Sequence, residues 1–195
     1  MSGAARELPP PFGGLAPNRE CGDCVVCCYT LNIDTPELRK PADSLCPHCT
    51  RKACGIYETR PNVCRGWFCL WRRIGAMPES ARPDRCGVVF SIDSNRPAPS
   101  LYEHVYIVGR AINAPSDFDH PVASQAIDMF IRSGGLPVWL SWAGQKQLVY
   151  PTPAQDVAIS SPEGAANPDL AAWAQGWLKA YKLMSVAYTG GFGGT

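Results

Sequence analysis

The residues with the clearest chemical potential in this sequence are its ten cysteines, which all lie between positions 21 and 86. Four of them stand in the segment CGDCVVCC at residues 21–28, and the tetrapeptide CPHC follows at residues 46–49. Cysteine thiols bind metal ions, carry out redox chemistry or pair as disulfides. The residues around them allow these three uses to be ranked.

The first cysteines repeat a regular step. Cys21, Cys24 and Cys27 form C-x2-C-x2-C, the spacing of bacterial ferredoxin-type cluster ligands, although the next cysteine is adjacent rather than four positions on. If the segment is helical, Cys21, Cys24 and Cys28 instead lie within about 60° of one another, because successive helical residues turn by about 100°. The spacing predicts a metal site and leaves open whether Cys27 or Cys28 is the third ligand.

The CPHC segment offers further ligands. Zinc prefers four tetrahedral ligands, and Cys46 and Cys49, or His48 in place of one of them, would complete or form such a site. Ten cysteines allow one cluster with unused thiols, or two zinc sites. The number of metal ions is therefore left open.

CPHC also matches the active-site tetrapeptide of strongly oxidising thioredoxin-like oxidoreductases. In those enzymes the first cysteine begins a helix that follows a strand, and the end of the helix depresses its pKa. Residues 50–55 have no amphipathic pattern, and no βαβ pattern precedes the pair. Redox use therefore ranks below metal binding.

A disulfide framework is the third alternative. Small secreted domains use disulfides because their cores are small, whereas a chain of 195 residues buries most of its apolar surface. The segment MSGAARELPPPFGG lacks the apolar core of a signal peptide, so we expect a cytoplasmic protein, in which disulfides rarely persist. Cys86, at the start of a predicted strand, is expected to be a small buried apolar residue.

The composition indicates a folded protein with balanced charge. Hydrophobic residues make up 46% of the chain, which suits a globular domain, and no segment approaches the roughly 18 apolar residues of a membrane span. The net charge of +1 gives no argument for a nucleic acid or membrane partner. Residues 50–86 contain eight Lys or Arg against three Asp or Glu, and this local excess of +5 would favour thiolates.

The chain beyond residue 86 has the pattern of an α+β region. Strands are predicted at 87–92, 101–108, 138–142 and 147–150, with a hairpin turn at 143–146. Helices are predicted at 120–132 and 168–184. Gly134 would end the first of these helices, and Asn167 would cap the second.

The break in composition at residue 86 also divides the chain. We expect an extended N-terminal segment (1–20), a Cys-rich metal-binding module (21–86), an α+β region packed on the module (87–185) and a flexible tail (186–195). The predicted fold is α+β, with a small irregular module followed by a compact region of short strands and two helices. Within the module, Thr35 as N-cap and Pro36 at the first helical position predict a helix of about one turn.

The order of the motifs is more specific than their spacings. CGDCVVCC is followed by LNIDTPELRKPADSLCPHC and then by CGIYETRPNVCRGWFCLW. This order strongly resembles the CxxCxxCC cysteine-cluster proteins, the YkgJ-type family of zinc- or iron-chelating domains, over residues 19–90. The most specific part is CGIYETRP at residues 54–61, followed by Cys64 and Arg65.

The resemblance implies a cysteine-bound metal, either zinc or iron, including a 4Fe–4S cluster. The cysteines carried over onto this sequence are Cys21, Cys24, Cys27, Cys28, Cys54 and Cys64, with Cys46, Cys49 and Cys69 as further members. Trp67, Phe68 and Trp71 would wall such a site from solvent, or else belong to the core. Arg60 and Arg65 would donate hydrogen bonds to sulfur or to backbone carbonyls.

We therefore expect a cytoplasmic metal-binding protein rather than an enzyme, with a role in metal handling or in a metal-stabilised interaction. A metal ion is the expected partner, and a protein partner is left open. One alternative is an iron–sulfur redox or protein-modifying enzyme or accessory factor, with His104 and His120 as acid–base candidates. Another is a zinc-ribbon-like nucleic-acid binder that uses the run Trp71-Arg72-Arg73.

Overall fold

The cysteine-bearing part of the chain is built from short elements. The computed structural model describes residues 14–166 and residue 168. The first helices and strands are α1 (Val26–Thr30), β1 (Ile33–Thr35), β2 (Leu38–Lys40), α2 (Asn62–Gly66), α3 (Leu70–Arg73) and α4 (Pro83–Cys86). Short 3-10 helices at Tyr57–Thr59 and Glu79–Ala81 lie between them.

The predicted one-turn helix at Thr35 is wrong. Thr35 ends β1, and Pro36 stands in a tight turn into β2, which pairs antiparallel with Thr35 opposite Leu38. The fixed φ of proline suits the first central position of a turn as well as the start of a helix, so Pro36 did not decide between them. Leu38 and Lys40 are buried while Arg39 between them is exposed, which is the two-residue period of a strand.

A mixed four-stranded sheet forms in the second half of the described chain. Its strands are β3 (Val88–Asp93), β4 (Tyr106–Ala111), β5 (Val138–Trp142) and β6 (Gln145–Tyr150), in the order β3-β4-β5-β6. β4 and β5 are parallel, and the other neighbours are antiparallel. Helix α5 (Pro121–Ser133) makes the crossover that a parallel pair requires. The predicted α+β class is confirmed.

Most of the predicted elements in this region are confirmed. α5 corresponds to the helix predicted at 120–132, and it ends at Gly134, whose φ of 61° is left-handed. The strand predicted at 101–108 instead begins at Tyr106, because Leu101–Glu103 form a 3-10 helix. The hairpin turn has two residues rather than four, Ala143 and Gly144, both with positive φ, as in the tight turns that match strand twist.

Two short helices follow the sheet, α6 (Pro153–Ser160) and α7 (Pro162–Ala165). Sequence analysis did not predict them, although a signal for α6 is present. Thr152 and Gln155 form a capping box, in which the Thr152 N–H donates to Gln155 Oε1 at 2.8 Å. The predicted tail, and the helix predicted at 168–184 apart from residue 168, lie outside the described residues.

The main hydrophobic core extends across residue 86. Trp71 and Met77 from the cysteine region are buried with Phe90 of β3 and Phe130 of α5, whose rings lie 5.3 Å apart. A second, much smaller cluster contains the buried residues Ile33, Leu38 and Cys46. The cysteine region therefore packs partly on the core of the sheet and partly on a small core of its own. Within the described residues, no helix has the length and apolar character to cross a bilayer.

Candidate metal centre

Most of the cysteines line one cavity between the short elements and β3. The cavity has a volume of about 940 Å³. Eight cysteines contribute to its wall, namely Cys21, Cys24, Cys27, Cys28, Cys46, Cys54, Cys64 and Cys69. All ten cysteines are free thiols, so the disulfide framework considered from the sequence is not present.

The turn that carries Cys21 and Cys24 is fixed by hydrogen bonds and an ion pair. The Cys24 N–H donates to the Cys21 carbonyl at 3.0 Å. Arg82 fastens the turn to α4, because its guanidinium bonds Asp23 at 2.8 Å and Asp84 at 2.6 Å. Burial raises the pKa of Cys24 to about 12, against hydrogen bonds from backbone groups that lower it. This thiol is held in place but needs a cation before it ionises.

Cys27 and Cys28 are consecutive residues of α1, and their thiols are hydrogen bonded to each other. The bond, together with burial, raises the pKa of Cys27. The same bond lowers the pKa of Cys28, and burial opposes this shift, while Cys49 and Lys40 assist it. The contact between the two thiols therefore favours ionisation of Cys28 over ionisation of Cys27. Both residues line the cavity.

Lys40 supplies a buried positive charge beside this group. Its Nζ donates to the carbonyl oxygens of Tyr29, Pro41 and Ser44 at 2.7, 2.9 and 2.8 Å. Burial lowers the pKa of Lys40, and the thiols of Cys46 and Cys28 oppose that shift. The lysine thus closes the β1–β2 hairpin against α1 and stabilises negative charge on nearby sulfur.

The CPHC segment forms a turn followed by a β-bridge. The Cys49 N–H donates to the Cys46 carbonyl at 2.9 Å, and Cys49 pairs with Cys54 across a short hairpin. Residues 46–55 contain no helix, so the thioredoxin-like context is missing here. His48 and Cys54 are among the described residues that line the cavity, whereas Cys49 is not. Cys49 instead shares a hydrogen bond with Cys28.

The aromatic residues near Cys64 and Cys69 divide between the two expected roles. Trp67 and Phe68 line the cavity, as expected of groups that exclude solvent. Trp71 is only 3% exposed, belongs to the main core, and donates its Nε1–H to the Pro78 carbonyl at 3.2 Å. Cys86 is also a core residue, as predicted, and its thiol donates to backbone carbonyls.

Two arginines in the cavity wall have buried nitrogens without a hydrogen-bond partner among the described residues, namely Nε of Arg60 and Nε and Nη1 of Arg72. A buried donor left unpaired costs about 1–3 kcal/mol. Burial raises the pKa of Cys64 and the charge of Arg60 lowers it, and Arg72 acts in the same way on Cys69. Guanidinium nitrogens left without a hydrogen-bond partner beside thiols fit a centre in which the sulfur atoms are ionised. Arg65, the other predicted donor, is exposed.

The thiols surround the cavity rather than meet at a point. Within the described residues, no three His, Cys, Asp or Glu side chains are close enough together to hold a metal ion as they stand. Because a cysteine thiol moves between staggered positions by rotation about χ1 alone, convergence on a cation requires side-chain rotations. The sulfur-rich wall fits zinc or an iron–sulfur cluster in ligand type.

Sequence analysis missed the polar end of the cavity. Asp93, Asn95 and Arg110 line it where β3 and β4 meet. Arg110 donates to Ser91 Oγ at 2.8 Å and pairs with Asp93. These residues show no motif in the sequence, because strand register alone brings them beside the cysteine region.

The residues named for the alternative functions do not form the sites expected of them. His120 is the N-cap of α5, where its Nδ1 accepts the Val122 N–H at 3.3 Å. In the run proposed for nucleic-acid binding, Trp71 is buried, and the guanidinium groups of Arg72 and Arg73 lie 5.7 and 5.8 Å from the Phe68 ring. The run is therefore not an exposed aromatic and basic surface.

Comparison of the chain with protein-family models, with curated proteins and with solved structures finds no match.

Proposed function

We propose that this chain is a metal-binding protein that chelates zinc or iron, the latter including an iron–sulfur cluster, through its cysteines. Its role would be metal handling or a metal-stabilised interaction. The observation that carries the proposal is the set of eight free thiols around one cavity, together with buried guanidinium nitrogens that lack a partner. The resemblance of CGIYETRP at residues 54–61 to the YkgJ-type family supports the same proposal.

The surroundings of the thiols favour binding over exchange chemistry. A catalytic or redox-active thiol is usually exposed and has a depressed pKa. Burial instead raises the pKa of Cys24, Cys64 and Cys69, so these thiols ionise when a cation replaces the proton, whereas the pKa of Cys28 is lowered by its contact with Cys27. Trp67 and Phe68 would shield the bound metal from water.

The test is the metal content of protein prepared without oxygen. We expect zinc or iron in stoichiometric amounts, and visible absorption with acid-labile sulfide would identify an iron–sulfur cluster. Cys64→Ser should lower the metal content, and Cys86→Ser, a matched change in the core, should leave it unchanged. A folded wild-type protein that stays metal-free after reconstitution with zinc, or with iron and sulfide, would contradict the proposal.

A second candidate function is an iron–sulfur redox or protein-modifying enzyme, which the polar end of the cavity favours. Asp93, Asn95 and Arg110 lie in the same cavity wall as the thiols, so a substrate could be held beside a metal. Reversible one-electron reduction of the purified protein is expected for this candidate. Colourless protein that holds zinc and has no reducible centre would exclude it.

A further inference from the structure

We propose that the cysteine-lined cavity also binds a small organic anion, whose carboxylate or phosphate group accepts hydrogen bonds from Arg60 and Arg72. The inference goes beyond the proposed metal binding and does not depend on it. Three features carry it: the volume of the cavity, the charges in its wall, and guanidinium donors that the described residues leave without an acceptor.

The cavity is larger than a metal centre needs. Its volume of about 940 Å³ lies at the upper end of the range of small-molecule sites, about 300–1,000 Å³. A zinc ion bonded to sulfur at about 2.3 Å fills only a small part of such a space. Apolar side chains also line it, among them Val26, Leu31, Ile56, Val63 and Trp67. A wall of this kind suits a ligand that has an apolar body and one polar group.

The charged residues in the wall leave two arginines without a carboxylate. Three arginines, Arg60, Arg72 and Arg110, line the cavity together with two acidic residues, Glu20 and Asp93. Asp93 is paired with Arg110, and Glu20 is exposed. None of the ion pairs among the described residues includes Arg60 or Arg72. These two guanidinium groups are therefore the cationic groups that an anion would meet in the cavity.

The same two arginines have buried donors with no acceptor. Nε of Arg60 and Nε and Nη1 of Arg72 lack a hydrogen-bond partner among the described residues, and no cavity thiol there accepts from them. Buried polar groups nearly always have a partner in a folded protein, so these nitrogens indicate an acceptor from outside the chain. Ionised thiols would balance the charge of the guanidinium groups, whereas an oxyanion supplies both the charge and the acceptor oxygens.

Aromatic rings hold both guanidinium groups in the wall. The Cζ of Arg60 lies 3.9 Å from the centre of the Tyr57 ring, and the Cζ of Arg72 lies 5.7 Å from the centre of the Phe68 ring. Both rings line the cavity. A guanidinium stacked on a ring keeps N–H groups at its edge, where they match the oxygens of a carboxylate or a phosphate. Tyr57 is 54% exposed, so Arg60 lies near the mouth of the cavity, where an anion enters from solvent.

The experiment measures the binding of phenyl phosphate and of benzoate by calorimetry, to anaerobically prepared, reduced full-length protein of measured metal content. We expect one or both to bind, and the tighter of the two identifies whether the site prefers phosphate or carboxylate. Benzyl alcohol, which has the ring without the charge, should bind at least about tenfold more weakly, because it cannot form a charge-assisted pair with a guanidinium.

Variants of the arginines locate the binding. Arg60→Met and Arg72→Met should each weaken the binding of the preferred anion by about tenfold, because each removes hydrogen bonds between charged groups. Arg65→Met is the matched control and should bind the anion as the wild type does. Arg65 is exposed and is not among the described residues that line the cavity.

A measurement on the wild-type chain tests the same contacts, in case a variant fails to fold. In the ¹⁵N NMR spectrum of iron-free protein, the Nε–H signals of Arg60 and Arg72 should shift as the preferred anion is added, because these groups gain an acceptor. The Nε–H signal of Arg65 should stay in place. Unchanged signals of Arg60 and Arg72 at saturating anion would contradict the inference.

The outcomes separate this inference from the proposed function. A chain that binds neither anion, or that binds them equally well in the wild type and in both arginine variants, would overturn the inference. If the wild type binds no anion and the arginine variants lose metal, the guanidinium groups serve ionised thiols alone, and the metal-binding function stands without this inference. A chain that binds the anion through the two arginines but stays metal-free after reconstitution would contradict the metal-binding function and leave this inference standing.

Discussion

Arg82 shows how one side chain outside the cavity wall can set the geometry of a cysteine turn. Its guanidinium bridges Asp23, between Cys21 and Cys24, and Asp84 in α4. The Arg82 side chain is only 12% exposed, so the bridge is shielded from solvent on the arginine side. The turn that carries the first pair of thiols is therefore attached to α4 through a charged contact, in addition to the packing of Cys24 against the main core.

This contact predicts a selective effect on metal binding. Arg82→Gln should lower zinc affinity by about tenfold, because the turn that carries Cys21 and Cys24 loses its attachment. Arg85→Gln is the control, since Arg85 lies in α4, three residues from Arg82, and makes an exposed ion pair with Glu79. Chelator competition measures both affinities, and equal affinities in the two variants would show that Arg82 has no positioning role.

At the scale of elements, a glycine in β4 leaves room for an aromatic side chain of β3 that packs in the core. Gly109 of β4 stands directly opposite Phe90 of β3. A Cβ on Gly109 would lie 2.8 Å from Phe90 Cε1, so the glycine leaves room for the ring. Phe90 then packs on Phe130 of α5, while Val89, the next residue along β3, lines the cavity from the opposite face.

Gly109→Ala should therefore destabilise the protein by about 1–3 kcal/mol, because the added methyl group displaces the Phe90 ring. Gly75→Ala is a suitable control, since a Cβ at that position meets no atom within 4 Å. Urea unfolding followed by tryptophan fluorescence measures both variants. If the Gly109 variant were as stable as the control, the ring would not depend on this approach.

At the scale of the whole molecule, the two cores are unequal. The main core joins the cysteine region to the sheet and α5, whereas the small cluster has three buried residues and depends on the surrounding cysteines. A cluster of that size buries too little apolar surface to hold a fold by itself. Metal bound by cysteines around the small cluster would supply what that cluster lacks.

Removal of metal should therefore loosen one part of the molecule more than the other. With a chelator and a reductant present, amide hydrogen exchange should speed up by about tenfold or more in residues 28–64, because their packing unit depends on the metal. The amides of β3, β4 and β5 should keep most of their protection. Equal loss of protection across the sheet would show that the molecule depends on the metal as a whole.

The sequence indicated which residues could be ligands, but it did not indicate where each side chain lies. Residue type and spacing singled out six cysteines as candidate ligands, and the family resemblance added Cys54, Cys64 and Cys69. Eight of these nine line the cavity, while the core position of Cys86 followed from its place before a strand. Cys49 fitted the spacing equally well, but the bridge between Cys49 and Cys54 places it outside the wall. Spacing along the chain cannot report which way a hairpin turns its side chains.

Local patterns by themselves determined the α+β class, helix α5 with its stop at Gly134, and most strands of the sheet, because periodicity and capping act within a few residues. Only the tertiary structure decided that Pro36 makes a turn instead of a helix, and that Cys27 and Cys28 both face the cavity. It alone brought Arg60, Arg72 and Arg110 to the thiols. The reason is physical: these positions follow from contacts between segments far apart in the chain, and no short stretch of sequence encodes such contacts.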